Sequence, residues 1–200
     1  MQPYEVIAAP LELYLAPVGE AFPLIDTDPP GGNWVLVGAS GSKRYDEDGV
    51  AIAHNEEIED FRMLGTTGPV KSSRTEEELM VTVILHDLTL EQYAYALNFN
   101  AVTDTPEASG VAGFREVDLY KGRTVNTRAL LARGPSPYDE ALFLQYEIPR
   151  VRAGGEPEVI WAKGEPAGLE LSFMALIDLN AATDAKSFGV LRASDAAALP

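Results

Sequence analysis

Leu11, Leu13 and Leu15 alternate with Glu12 and Tyr14 near the start of the chain. A period of two puts every second side chain on one face of a strand, so this pattern constrains the fold more than any other feature. It recurs where Leu142, Leu144, Tyr146 and Ile148 alternate with Gln145 and Glu147. It recurs again where Leu169, Leu171 and Phe173 alternate with Glu170 and Ser172. These segments read as antiparallel strands with one face buried and the polar set outward. Further strands are expected at 34–38, 50–54, 57–63, 69–74, 78–86, 114–120, 124–133 and 157–163, and the SFGVLRA run reads as a last short strand. So many short strands point to an antiparallel β-sandwich or barrel.

The segment LHDLTLEQYAYALN reads as a helix, with Leu90, Tyr93, Ala94 and Leu97 on one apolar stripe. Thr89 followed by Gln92 matches a reciprocal capping box, the hydroxyl taking an orphan N–H and the amide reaching back. The stripe fits a core-facing side. Loops fall at the Pro- and Gly-rich stretches 18–33, 99–113 and 134–140. Two hundred residues fit one domain spanning 1–200. In this reading a long loop occupies 39–55 and a C-terminal arm runs from 177 to 200.

Charge and composition exclude several functions. The net charge of −16 repels polyanions and argues against nucleic-acid binding. The absence of Cys removes disulfides, thiolate nucleophiles and thiolate zinc sites. The N-terminal run, broken by Pro10, Glu12 and Pro17, fits neither a signal peptide nor a membrane span, so the protein is expected to be cytosolic where it is made.

Motifs for chemistry are weak. Asp46, Asp48 and Gly49 lack the further oxygen ligands of a calcium loop, and Asp-Gly reads as a turn from one strand to another. Gly38, Gly41 and Lys43 have the wrong spacing for a phosphate loop, and Ser40 reads as a turn serine rather than a nucleophile. His54 and His86 lie on different strands, without the spacing that brings imidazoles to one metal ion. Trp34 and Trp161 sit within apolar alternation, where a core role is expected over a sugar-stacking one. No catalytic residue, metal or cofactor is expected.

The run 45–61 is acidic throughout, with Asp46, Glu47, Asp48, Glu56, Glu57, Glu59 and Asp60 and no Lys or Arg among them. The order of pieces carries a resemblance: Trp34 and Gly38 on an early strand, a long acidic excursion, then the helix entry Leu85, Asp87, Thr89, Leu90 and Glu91 with Ala96 and Leu97. LSFMALID with Phe188 and Gly189 follows late in the chain. From about residue 10 to 192 this order resembles the major tail tube proteins of long-tailed, non-contractile bacteriophages and related gene-transfer particles.

The resemblance implies a β-sandwich with a flanking helix, assembled as hexameric rings stacked into a virion tail tube through which genome DNA passes. It also implies assembly in the host bacterial cytoplasm. The implied partners are further copies of the chain and the tape-measure, tail-tip and tail-terminator proteins, with DNA in transit and no membrane insertion. Glu57, Glu59, Glu76 and Glu78 are the lumen-facing candidates, with Glu56, Asp60 and Glu77 as alternates if the register shifts by one. Lys43, Arg44, Tyr45, Asp46, Glu47 and Asp48 are the inter-ring candidates, and deleting 42–52 is expected to leave a folded subunit that cannot stack. Other readings stay open: a tail-end ring or secretion inner-tube protein, or a monomeric carbohydrate-binding module.

Overall fold

The computed structural model describes residues 10–38, 45–139, 141–164 and 166–195. In chain order the strands are β1 (Glu12–Pro17), β2 (Val35–Leu36), β3 (Tyr45–Phe61), β4 (Lys71–Leu85), β5 (Val102–Thr105), β6 (Phe114–Val117), β7 (Thr127–Pro135), β8 (Phe143–Gly154), β9 (Leu169–Ala175) and β10 (Val190–Ala193). Helix α1 (Leu90–Ala96) lies between β4 and β5, and a 3-10 turn (Asp184–Lys186) precedes β10. The fold is mainly antiparallel β with one α-helix, as the alternation predicts.

One sheet runs β2-β1-β7-β8-β9-β4-β3, and β5 and β6 form a small second sheet. Along its side away from β7, β8 serves two neighbours: Leu144–Glu147 pair with β10 and Val151–Gly154 with β9. Pro149 lies between the two stretches, where it has no N–H to give a ladder. Opposite it the β7 register shifts between Arg128 and Leu130. A bulge of this kind bends the strand and increases local twist. The sheet curls enough that Leu13 and Leu15 of β1 share one core with Val81 and Val83 of β4 and with Leu171 and Phe173 of β9. Phe173 is fully buried, and truncating such a ring to Ala typically costs about 3–5 kcal/mol.

Helix α1 begins as its sequence predicts, with the Thr89 hydroxyl accepting from Gln92 N. The glutamine does not reach back. Its side chain is buried, and Oε1 accepts from Gly38 N at 2.9 Å, tying the helix to the end of the β2 segment. Ala94 and Leu97 are buried, so the apolar stripe faces inward as expected. The helix stops at Asn98 and Phe99, both with positive φ, and the Asn98 side chain binds Lys121 O, Thr124 O and Asn126 N.

Several expectations change. The segments 50–54 and 57–63 are one strand up to Phe61, and 69–74 and 78–86 are likewise one strand, β4. Residues 157–163 form no strand, only a single bridge between Val159 and Leu169, while the stretch read as loop 99–113 holds β5. The C-terminal segment is no free arm, because β10 completes the β8 edge where SFGVLRA predicted a strand.

The expected polar outer faces are also covered. Residues 18–34 fold across the outside of β1 and β7, where Trp34 stacks near Phe22 and its indole N–H donates to Ala21 O at 3.0 Å. Tyr14, Ala16, Ala129 and Leu131 form a second core beneath this cover. Farther along the same face, Arg133, Gln145 and Glu147 are buried. The guanidinium donates to Gln145 Oε1 at 2.8 Å and Leu24 O at 3.1 Å, and Gln145 Nε2 donates to Glu147 Oε1 at 2.6 Å. Arg192 on β10 closes the chain of contacts at 3.1 Å from Glu147. Buried polar groups survive where they find partners, here largely carbonyls of the covering loop; the Arg133 Nε is left without one.

Candidate functional site

β3 and β4 pair from Val50 opposite Val83 out to Phe61 opposite Lys71, while β9 accompanies β4 only from Met80 to Leu85. Beyond Met80 the two strands continue as a two-stranded ribbon, exposed on both faces from Glu56 and Glu77 outward. The sequence explains the change. Leu79, Val81, Val83 and Leu85 alternate into the core, whereas Glu76, Glu77 and Glu78 precede them without apolar residues to bury.

Register decides which acids meet. Glu57 lies opposite Glu76, Glu59 opposite Ser73 and Glu78 opposite Asn55. Paired residues share a face and alternate residues return to it, so the four lumen candidates Glu57, Glu59, Glu76 and Glu78 stand together on one face. The alternates occupy the other face, Glu56 opposite Glu77 and Asp60 opposite Ser72. There Arg74 lies 2.7 Å from Glu56 and 3.6 Å from Glu77, and Ser72 donates to Asp60 at 2.6 Å. No described cation lies in ion-pair range of the first four carboxylates. Like charges directly opposite destabilise a strand pair, so the Glu57–Glu76 apposition opposes ribbon stability in the isolated chain.

The inter-ring candidates fare differently. Lys43 and Arg44, with Ser40 and Gly41, lie outside the described residues. From Tyr45 onward the expected loop 39–55 is strand β3. Tyr45 packs against the core, donates to Val37 O at 2.9 Å and accepts from Leu13 N at 3.1 Å. Burial pushes its phenol up to about 12. Tyr45 is therefore an internal tie between β1, the β2 segment and β3. Asp46, Glu47 and Asp48 form an irregularity inside β3, where Asp48 N donates to Asp46 Oδ1 at 3.2 Å and Gly49 takes φ 68°. Asp48-Gly49 thus makes a bulge within one strand, not the expected turn between two. A deletion of 42–52 would remove Tyr45, Val50 and Ile52 from against the core, so the folded product expected for it does not follow.

Asp46 and His86 form a pair at 2.9 Å, and the other ring nitrogen of His86 lies 3.2 Å from Ala167 O. The Asp46 hydrogen bond raises the imidazole above its usual range and lowers the carboxylate below its own. His54 lies elsewhere, opposite Leu79, and among the described residues no cluster of three or more His, Asp or Glu could hold a metal ion. Trp34 is in the core as expected, but Trp161 is 80% exposed.

Two surface features lacked a sequence expectation. The ribbon end is apolar, with Phe61, Met63, Leu64 and Val70 all exposed. The clue lay in Met63-Leu64 beside Gly65, apolar residues at a turn. At the ribbon base, a groove of about 610 Å³ lies between His54 and Leu79 on one side and Ile177, Phe188 and Leu191 on the other. Among the described residues no helix is long and apolar enough to cross a membrane. Compared with known proteins, the chain matches no family model and no curated protein.

Proposed function

We propose that this chain is a structural virion protein that assembles into hexameric rings and stacks them into a tail tube. The reading assigns it no catalysis and no cofactor. The observation that carries it is the ribbon, an outgrowth exposed on both faces that sets four uncompensated carboxylates on one face and apolar side chains at its end. Such an element costs the isolated subunit stability and has a use once neighbouring copies surround it.

In the tube the carboxylate face is turned to the bore, where it keeps DNA in transit from adhering. Screening limits this repulsion to roughly 8 Å at physiological salt, so only residues at the wall contribute. The tape-measure, tail-tip and tail-terminator proteins complete the assembly. Negative-stain electron microscopy over a concentration series, paired with light-scattering mass, tests the proposal. Rings or hollow tubes are the expected outcome; a strict monomer at every concentration, with and without tail-tip protein, would sink it.

A second reading rests on Trp161, whose exposed indole suits stacking against a sugar in a monomeric binding module. Trp161 fluorescence that shifts with added glycans, in a protein that stays monomeric, would favour that reading instead.

A further inference from the structure

The two unforeseen surface features fit each other. Leu64 is 107% exposed and Met63 65%, with Val70 at 52% and Phe61 at 45%. These residues are held in a defined turn: Thr66 N donates to Met63 O at 3.2 Å, its hydroxyl lies 2.9 Å from the same oxygen, and Val70 N donates to Phe61 O at 2.8 Å. An ordered turn that holds apolar side chains in water is a surface made for contact. Arg62 and Lys71, for which no ion pair is found among the described residues, flank it.

The groove at the ribbon base has the complementary character. Leu79, Tyr146, Ile148 and Phe188 give it an apolar lining; in its wall Glu77 lies 3.6 Å from Arg74, which also lines the groove, and Asp184 adds a further carboxylate for which no ion pair is found among the described residues. The groove extends along the ribbon as far as Arg74, and the extended strand pair holds the ribbon end beyond it in its own subunit. At about 3.3 Å per residue, the extended strand carries Leu64 roughly 30 Å from His54, which lines that groove.

We infer that the ribbon end of one copy seats in the groove of a second copy, with Met63 and Leu64 entering between β4 and the C-terminal segment and the cations Arg62 and Lys71 on the side of Asp184. The inference rests on the self-assembly proposed above and names the contact that drives it. The two surfaces are different patches of the same chain, so the contact is heterologous and repeats from copy to copy. It leaves the face of Glu57, Glu59, Glu76 and Glu78 free.

The chain has no cysteine, which permits a direct test by disulfide cross-linking. Leu64→Cys protein is mixed with Ile177→Cys protein, whose cysteine stands in the groove wall where the native side chain is 56% exposed. A parallel mixture pairs Leu64→Cys with Val35→Cys, on the far edge of the sheet and 51% exposed in the native chain. Proximity raises effective concentration, so the groove pair is expected to form the mixed disulfide roughly tenfold faster than the edge pair or more. Leu64→Cys protein that also carries Met63→Ser and Val70→Ser should lose that advantage. Equal rates for the two pairs, in assemblies or in a monomeric sample, overturn the inference. Tubes without the preferential cross-link would overturn this contact and leave the tube reading standing. The preferential cross-link in a sample that forms neither rings nor tubes would do the reverse.

Discussion

The β7–β8 region and the β3–β4 ribbon are built from similar alternating sequence and end in opposite environments. In β8, Gln145 and Glu147 alternate with Tyr146 and Ile148, and both polar residues are buried beneath residues 23–28 and beside Arg133 and Arg192. In the ribbon, Glu57 and Glu59 alternate with Glu56 and Ile58, and all stay exposed. Alternation sets which residues share a face; whether that face meets water depends on what distant chain covers it. The body uses its charges to fix one arrangement, whereas the ribbon leaves them for a neighbour.

The largest expected effect comes from breaking the body. Arg133→Ala removes a buried side chain that donates to buried Gln145 Oε1 and to the covering-loop carbonyls of Leu24 and Thr27. A loss of about 3 kcal/mol in urea unfolding is expected, against less than about 0.5 kcal/mol for Glu59→Ala on the ribbon. Equal costs for the two would erase the distinction between the regions.

Replacing residues 56–77 by an Asn-Gly turn tests the ribbon as a separable part. Asn55 and Glu78 face each other, so a two-residue hairpin can join them without moving the body. The stability of the body should change by less than about 1 kcal/mol, because the excised residues are exposed. Assembly seen by electron microscopy should vanish. Persistent tubes would show that the ribbon is dispensable, and an unfolded product would show that it belongs to the cooperative core.

How much of this was legible in the sequence follows from the same contrast. The core faces of β1 and β9 could be read from their alternation, and Thr89 marked the start of α1, because the relevant partners are two to four residues apart; in β8 only Ile148 of the expected apolar face is fully buried. The face shared by Glu57 with Glu59, and by Glu76 with Glu78, was legible for the same reason. Gln145 was not readable as buried, since its amide binds Pro23 O at a sequence separation of 122. Tyr45 was read as loop because the acids after it mask a single bulged strand. Trp161 was placed in the core on local apolarity, yet the expected strand around it has no partner beyond one bridge.

At the end of β3 and β4 away from the ribbon, where Tyr45 lies opposite Leu85, the body holds a joint that responds to pH. His86 on the residue after β4 faces two acceptors, Asp46 Oδ2 through Nε2 and Ala167 O through Nδ1, and no other charged partner is found for it among the described residues. Only the imidazolium can donate to both, which agrees with a pKa raised above the ordinary 6.5 chiefly by the Asp46 hydrogen bond. A raised histidine contributes stability that is fully present below 6.5 and lost as pH rises through its folded pKa. Asp46, lowered below 3.8, contributes stability present above that value and lost as pH falls through its own folded pKa. The joint is therefore tightest between the two ordinary values. NMR titration of the His86 ring should give a pKa above that of His86 in the Asp46→Asn variant. An unchanged value in the variant would separate the two residues.

The smallest expected effect is the most specific to the ribbon. Glu57→Gln with Glu76→Gln removes one pair of like charges held directly opposite each other without a nearby cation. Cross-strand repulsion of this kind is worth a few tenths of a kcal/mol, so the isolated subunit should become slightly more stable at low salt. The gain should disappear near 1 M salt, where the screening length falls to roughly 3 Å. Glu56→Gln should not reproduce it, because that carboxylate has Arg74 at 2.7 Å and its loss removes an attraction. A stabilisation by Glu57→Gln and Glu76→Gln that persists in high salt would point to packing rather than charge. A destabilisation would mean that the four-carboxylate face already has a cationic partner within the subunit, and the case for turning it toward the bore of an assembly would fall with it.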